Sequence, residues 1–268
     1  MTDITVRRVK FDFMDDLGPV LPGIDPVGET YLAAFSLTMP VLEPYLIRTM
    51  RAVGPRVTDP ALAEDMSRFS GQEAQHFQNH RRINEIIIDQ VGPTAGPALR
   101  AILDDLEREY RRFTDTKSDR FNLVYAEGFE AMTCAMALSM MRRAASGETT
   151  VGTPGTFDPW QQLWAWHAAE EIEHRTVAFG AYEHVVGSYV YRVVGSLRAQ
   201  WNFQSYIGRL QRVLLASQGQ PAKHYLPPWL ATRGDGRRMY LRTFRRRYDP
   251  GALEIPDLVG TVLSMYPA

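Results

Sequence analysis

The stretch of residues 164–177 concentrates ionisable side chains on one face of a predicted helix. Its sequence, WAWHAAEEIEHRTV, is rich in Ala, Glu and Trp and lies between Pro159 and Gly180, as is typical of a helix. At about 100° per residue, four side chains share an arc about 100° wide: His167, Glu170, Glu171 and His174. Imidazoles and carboxylates on an inward-facing, apolar helix face are costly unless something compensates them. The stretch therefore predicts a bound metal ion.

Composition limits the fold, the location and the ligands. With 268 residues, 45% hydrophobic and 23% charged, the chain is predicted to form one large globular domain, 1–268. A net charge of -1 gives no reason to expect nucleic acid. No signal peptide and no apolar run of about 18 residues is evident, so we expect no membrane span and a cytoplasmic protein. Because Cys134 is the single cysteine, a metal would be held by His, Asp and Glu.

Helix signals divide the chain into an arm, a core and a tail. Prolines and glycines make residues 1–26 an irregular N-terminal arm. Four helical stretches are predicted within 27–187. The third opens at Gly96-Pro97 and is broken by the polar run 114–119, and the fourth reaches about Gly187. Residues 188–268 are predicted to add one long helix and a tail with short helices. Strand signals are few, so the predicted fold class is all-α: a four-helix bundle with additional C-terminal helices.

Two Glu-x-x-His pairs on different predicted helices indicate a dinuclear site. Glu73 precedes His76 by three residues on the second stretch, and Glu171 precedes His174 by three on the fourth, so each pair faces one way. The remaining two stretches each offer a glutamate: Glu43 on the first, and Glu130 or Glu127 on the third. This order is that of two-metal carboxylate sites in four-helix bundles.

Charge and ligand type suggest which metals such a site would take. Four carboxylates carry four negative charges, which two divalent cations would neutralise. Without metal, four buried glutamates would repel one another and take up protons. Imidazole and carboxylate ligands suit iron and manganese, and zinc less distinctively. The pattern therefore predicts two Fe ions, with Mn or mixed Mn/Fe as alternatives.

On these motifs the chain resembles the bacterial family of predicted metal-dependent hydrolases within the ferritin-like di-iron superfamily. The resembling segments are Val6-Arg7-Arg8, Phe35-Ser36 to Glu43, Gln72-Glu73-Ala74-x-His76, Phe129-Glu130 and Trp166 to His174. The resemblance implies a ferritin-like bundle and six metal ligands: Glu43, Glu73, His76, Glu130, Glu171 and His174.

Further histidines and glutamates lie on the same helix faces. His167 precedes Glu171 by four residues, as in the di-iron arylamine N-oxygenases, and that similarity implies a seventh ligand. The alternative for His167 is a hydrogen-bonded interior histidine. His80, one turn beyond His76, is predicted to be an interior or supporting residue rather than a ligand. Glu170 is expected to orient a ligand imidazole, whereas Glu173 is expected to face solvent.

Three functions remain open from the sequence. The leading one, from the resemblance, is an O2-dependent di-iron oxidase or oxygenase that acts on a small apolar or aromatic substrate and draws on an external electron donor. The alternative is a metal-dependent hydrolase that uses a metal-bridging hydroxide, with Zn as a suitable metal. The third is metal storage or a structural metal-binding bundle. A homodimer is compatible with either enzyme.

Overall fold

The computed structural model describes residues 4–13, 18–148, 158–227 and 235–268, in which helices are joined by short connections. The helices are α1 (Pro26–Val53), α2 (Pro60–Gln90), α3 (Gly92–Thr116), α4 (Asp119–Ala145), α5 (Pro159–Glu173), α6 (Val177–Val185), α7 (Tyr189–Ser217), α8 (Asp235–Thr243) and α9 (Asp257–Ser264). Short 3-10 turns occupy Gly54–Arg56 and Pro250–Ala252. No strand occurs in the described ranges, so the predicted all-α class is confirmed.

Asp-Pro pairs start three of the long helices. Asp25, Asp59 and Asp158 each accept a hydrogen bond from a first-turn amide, and each is followed by a proline at the first helical position. The aspartate satisfies an amide that has no partner within the helix, and proline lacks the N–H that would otherwise need one. The sequence therefore sets where α1, α2 and α5 begin.

The core lies between α1, α2, α4 and α5, with α7 packed against α1 and α4. Aromatic rings join these helices: the Phe35 centroid on α1 lies 5.9 Å from that of Trp164 on α5 and 5.4 Å from that of Phe203 on α7. Phe129 of α4 lies 5.0 Å from Phe203. Burial of these large side chains holds four helices around one interior. None of the described helices combines the length and apolar character that crossing a membrane would require.

The predicted fourth helix is wrong in its extent. We expected it to continue to about Gly187, but α5 ends at Glu173 and α6 starts at Val177. Arg175 explains the break, because its guanidinium donates to the Ile172 carbonyl at 2.7 Å and to the Pro250 carbonyl at 2.9 Å. Side-chain donors of this kind satisfy carbonyls that the helix end leaves unpaired. The break places His174 at the C-terminal cap of α5.

The predicted third stretch also differs at its start. It was expected to open at Gly96 and Pro97, but α3 begins at Gly92 and contains Pro97. Gly92 adopts a φ of 83°, a conformation that turns the chain between α2 and α3 and that glycine adopts readily. The predicted interruption is confirmed, since α3 ends at Thr116 and α4 begins at Asp119.

Candidate metal centre

Eight ionisable side chains meet in the interior between α1, α2, α4 and α5. They are Glu43 on α1, Glu73, His76 and His80 on α2, Glu130 on α4, His167 and Glu171 on α5, and His174 at the end of α5. None is more than 4% exposed. The fold therefore brings together all seven predicted ligands and His80.

These side chains form four overlapping groups, in each of which one ligand atom per residue lies within 4.8 Å of the others. The groups are Glu73–Glu130–His174, Glu43–Glu73–His76, His76–His167–Glu171 and Glu43–His80–His167. Glu73 belongs to the first two, so it links the Glu130–His174 end of the cluster to the His76 end. One extended cluster with two ends results.

Several buried polar atoms in this cluster have no hydrogen-bond partner among the described residues. They are both carboxylate oxygens of Glu43, Oε1 of Glu73, Oε1 of Glu130, Oε2 of Glu171, Nδ1 of His76 and Nε2 of His174. His174 Nε2 lies 3.2 Å from Glu130 Oε2, although the pair does not meet hydrogen-bond geometry. Buried polar atoms are normally satisfied, so converging unsatisfied oxygens and nitrogens fit a cation. Carboxylate and imidazole donors suit divalent transition metals.

Hydrogen bonds on their far sides orient two of the imidazoles. His76 Nε2 donates to Glu170 Oε2 at 3.0 Å, and His174 Nδ1 donates to Gln72 Oε1 at 3.0 Å. Each bond fixes the ring and leaves the opposite nitrogen toward the carboxylates, where it can bind a metal. Glu170 thus makes the contact that was expected of an orienting residue.

His167 and His80 form a chain of hydrogen bonds that leads away from Glu171. His167 Nε2 contacts Glu171 Oε1 at 3.0 Å, and His167 Nδ1 contacts His80 Nε2 at 2.7 Å. His80 Nδ1 in turn contacts Ser36 Oγ at 2.8 Å. The rings of His76 and His167 stack with centroids 4.1 Å apart. His167 is therefore hydrogen-bonded on both nitrogens and also lies within ligand distance in two groups.

Glu127 lies apart from the cluster. Its Oε1 is 3.2 Å from Arg192 Nη1, and its Oε2 accepts a hydrogen bond from Ser196 Oγ at 2.7 Å. Of the two alternatives on the third predicted stretch, Glu130 is the one that the fold brings to His174.

The expectation that Glu173 faces solvent is wrong. Glu173 is 7% exposed, and both its oxygens accept hydrogen bonds from Arg7, at 2.8 and 3.0 Å. Gln72 Nε2 also donates to Glu173 Oε2. The helical periodicity placed Glu173 outside the ligand face correctly, but the N-terminal arm covers that side of α5. Arg7 and Gln72 are therefore site residues that no helix pattern identified.

Charge crowding sets the protonation of the cluster. Burial, followed by neighbouring glutamates, raises the pKa of Glu43 well above its usual value, and burial together with Glu171 raises the pKa of Glu130 to about 7. Burial also raises the pKa of Glu73. Burial acts in the same direction on Glu171, but the hydrogen bond with His167 and the charge of the nearby His174 outweigh it and hold that pKa well below its usual value. Without a metal, the cluster therefore retains protons at neutral pH.

A small cavity of ≈ 30 Å³ adjoins His167 and Glu171. Its walls come from α1, α4 and α5 and are mostly apolar: Leu32, Phe35, Thr133, Met136, Ala137, Met140, Trp164 and Ala168. Leu32, Met136 and Met140 are half-buried, so they lie on its outer side. The cavity can admit a molecule of a few heavy atoms to the side of the cluster that carries His167.

Comparison with known proteins gives one family. No curated protein and no solved structure gives a significant match to the chain. A family described as "predicted metal-dependent hydrolase" matches residues 5–253, a range that includes the whole cluster and Arg7. Because the match covers nearly the entire chain, this protein belongs to the family of predicted metal-dependent hydrolases.

Proposed function

We propose that the cluster holds two divalent metal ions, preferably iron, and that the protein uses them with O2 to oxidise a small apolar substrate. The proposed ligands are Glu43, Glu73, His76, Glu130, Glu171 and His174, with His167 as a seventh. The observation that carries the proposal is the set of four buried carboxylates, each with at least one oxygen that has no hydrogen-bond partner among the described residues. Two divalent cations would neutralise four glutamates. Such an arrangement matches the one used by ferritin-like di-iron bundles.

The bound metals would supply electrons to O2, with an external donor restoring them. The chain's own residues hold and shield the reactants. Glu170 and Gln72 fix the two imidazoles, at 3.0 Å each, so that the ligand nitrogens need no reorganisation. Phe35, Trp164 and Met136 give the adjoining cavity an apolar surface that favours a nonpolar guest over water.

The cavity walls favour oxidation over hydrolysis. Hydrolysis of an ester or amide needs a developing oxyanion to be stabilised, by the metal ions and commonly also by backbone N–H groups or polar side chains. The described wall residues lie within α1, α4 and α5, where backbone amides are used by the helices themselves. The Thr133 hydroxyl donates to the Glu130 carbonyl at 3.1 Å. The walls therefore offer little to an oxyanion.

Metal-dependent hydrolysis is the second candidate, and the family description favours it. In that case Zn or Mn would be the suitable metal, and activity would not depend on O2. The two candidates share the metal cluster and differ in the reaction, so one set of loaded samples separates them.

The test loads metal-free protein with Fe²⁺ under nitrogen, admits O2 and follows O2 uptake with an electrode. We expect uptake in proportion to protein and iron, and its loss in Glu171→Ala. The matched control is Glu183→Ala, since Glu183 is an exposed glutamate on α6. A parallel set loaded with Zn²⁺ or Mn²⁺ is assayed under nitrogen against ester, amide and phosphate substrates. Hydrolysis there, without O2 uptake by the iron form, would replace the oxidase with the second candidate.

A further inference from the structure

We infer that Arg7, on the N-terminal arm, is a positioning residue that holds the imidazoles of both His76 and His174 through one hydrogen-bonded hub. The inference rests on the proposed two-metal function. The hub consists of Arg7, Gln72, Glu170 and Glu173, which lie on the sides of the two imidazoles that face away from the carboxylates.

The Arg7 guanidinium joins two glutamates of α5. Nη1 lies 2.8 Å from Glu173 Oε2 and 3.1 Å from Glu170 Oε1, and Nη2 lies 3.0 Å from Glu173 Oε1. A two-point contact with Glu173 fixes the plane of the guanidinium as well as its position. The remaining oxygen of Glu170, Oε2, is the one that contacts His76 Nε2. Arg7 is thus linked to the His76 imidazole through the Glu170 carboxylate.

Arg7 is linked to the second imidazole, that of His174, through Glu173 and Gln72. Gln72 Nε2 donates to Glu173 Oε2 and, at 2.9 Å, to the carbonyl oxygen of Thr5. These bonds leave Gln72 Oε1 to accept from His174 Nδ1 at 3.0 Å. The amide orientation of Gln72 is therefore set by Glu173 and the arm, and that orientation determines which group His174 meets.

Residues 4–13, the described part of the arm that carries Arg7, have no regular secondary structure but are tied to α2. Asn79 donates to the Val9 carbonyl at 2.9 Å and accepts from the Phe11 amide at 3.3 Å, and Arg82 donates to the Phe11 carbonyl at 2.7 Å. Arg7 itself is 7% exposed, whereas its neighbour Arg8 is exposed. Arg7 is thus a buried cation held by two buried carboxylates, unlike the exposed ion pairs of a protein surface.

The expected consequence concerns metal affinity rather than folding alone. Partners that orient a ligand imidazole typically contribute about 10- to 100-fold to metal affinity. Since Arg7 acts on both His76 and His174, its removal should weaken both metal positions. A contact that served only the fold would change stability and leave the metal spectrum of the folded protein unaltered.

The experiment titrates metal-free full-length protein with Co²⁺ and records the visible absorption band and the binding stoichiometry. Arg7→Ala is expected to bind Co²⁺ about 10- to 100-fold more weakly with a changed band. Arg7→Lys should recover only part of the affinity, because an ammonium cannot reproduce the two-point contact with Glu173. Guanidinium ion added to Arg7→Ala should shift the band back toward that of the wild type. Arg8→Ala is the matched control and should titrate like the wild type.

Glu173→Gln keeps the size of the side chain and serves if Arg7→Ala does not fold. It should weaken Co²⁺ binding in the same direction, because it removes the charge that holds Arg7. Wild-type affinity and an unchanged band in a folded Arg7→Ala or Glu173→Gln variant would overturn the inference. If the wild type itself binds no Co²⁺ at the cluster, the proposed function fails. The two failures are therefore distinguishable.

Discussion

Glu127 and Glu130 lie one turn apart on α4 and are almost equally buried, at 1% and 4% exposure, yet their surroundings differ in kind. Glu127 meets the Arg192 guanidinium at 3.2 Å and the Ser196 hydroxyl at 2.7 Å. Glu130 faces His174 and other glutamates, and its Oε1 has no partner among the described residues. Where a buried carboxylate serves the fold, the protein supplies a cation. Glu130 meets only the imidazole of His174, a partner that it shares with Glu73 and Glu171.

Arg192, the partner of Glu127, makes further hydrogen bonds besides the one to that carboxylate. Besides Glu127, its guanidinium donates to the carbonyls of Thr243 at 2.7 Å and Arg245 at 3.0 Å. The pair therefore ties α4 and α7 to the C-terminal tail, and every charge in it is compensated. Beside Glu130 the described neighbours offer one imidazole, His174, whose pKa the carboxylates of Glu130 and Glu171 raise despite its burial, and one imidazolium cannot balance four glutamates.

The largest effect is expected at Glu171, which contacts His167 at 3.0 Å and lies 3.6 Å from His174. Replacement by alanine removes an oxygen donor between the two ends of the cluster. We expect Glu171→Ala to lose two-metal loading altogether, as measured by metal analysis after equilibrium dialysis. Retention of two equivalents by the folded variant would contradict the ligand assignment.

For replacement of Glu127 we expect a loss of stability without a loss of metal binding. Glu127→Ala leaves Arg192 as an uncompensated buried cation, which typically costs about 3–5 kcal/mol of unfolding free energy. Urea unfolding of the metal-free protein should show this loss, while the folded variant still binds two metal ions. Loss of metal with little change in stability would reverse the roles assigned to the two glutamates.

Glu130→Gln is expected to raise the unfolding free energy of the metal-free protein, by less than Glu127→Ala lowers it. Burial, followed by the Glu171 charge, raises the pKa of Glu130 from 4.5 to about 7. A carboxyl whose pKa is raised on folding binds more protons in the folded state than in the unfolded state. The loss of folding stability that it causes is therefore absent below pH 4.5 and grows as the pH rises to about 7. At about 1.4 kcal/mol per pKa unit, the unfolding free energy of the wild type should fall by roughly 3 kcal/mol relative to that of Glu130→Gln across that window.

Urea unfolding midpoints of the two metal-free proteins at several pH values measure this difference. The curves should diverge as pH rises from about 5 to about 7, and metal should restore the wild type alone. Parallel curves would show that Glu130 is ionised and compensated within the protein.

The smallest expected signal is the release of protons when metal binds. Burial raises the pKa of Glu43 and Glu73 well above the usual value, which favours their protonated forms in the metal-free cluster. Metal must displace these protons, on the order of one to two per chain, and apparent affinity should rise with pH. Calorimetric titration with Zn²⁺ in buffers of different ionisation enthalpy counts the protons. A count of zero would contradict the protonated state.

Helical spacing predicted most residues of the candidate site, and the residues that it could not assign were decided by local packing. The interval between Glu73 and His76, repeated at Glu171 and His174, sufficed to align each pair, because residues three apart share a helix face. Spacing could not separate Glu127 from Glu130, since α4 is buried on nearly all sides. The choice depends on Arg192, which lies on another helix.

Features that depend on distant segments were beyond the reach of the sequence pattern. Arg7 lies far from Glu173 along the chain, and only the folded arm brings them together. The helix break after Glu173 likewise depends on Arg175 reaching the Pro250 carbonyl. The sequence therefore predicted the helical class and the ligand-bearing faces, whereas the residues that brace them required the fold.

We propose that bound metal ions, rather than side chains of the protein, compensate the negative charges of the four cluster glutamates. The most direct test of this proposal is the number of metal ions bound per chain, measured by equilibrium dialysis of metal-free wild type against Fe²⁺ under nitrogen, with Glu130→Gln and Glu127→Gln dialysed beside it. We expect two ions for the wild type and for folded Glu127→Gln, and fewer than two for Glu130→Gln. No bound metal in the wild type, or equal binding by all three, would contradict it.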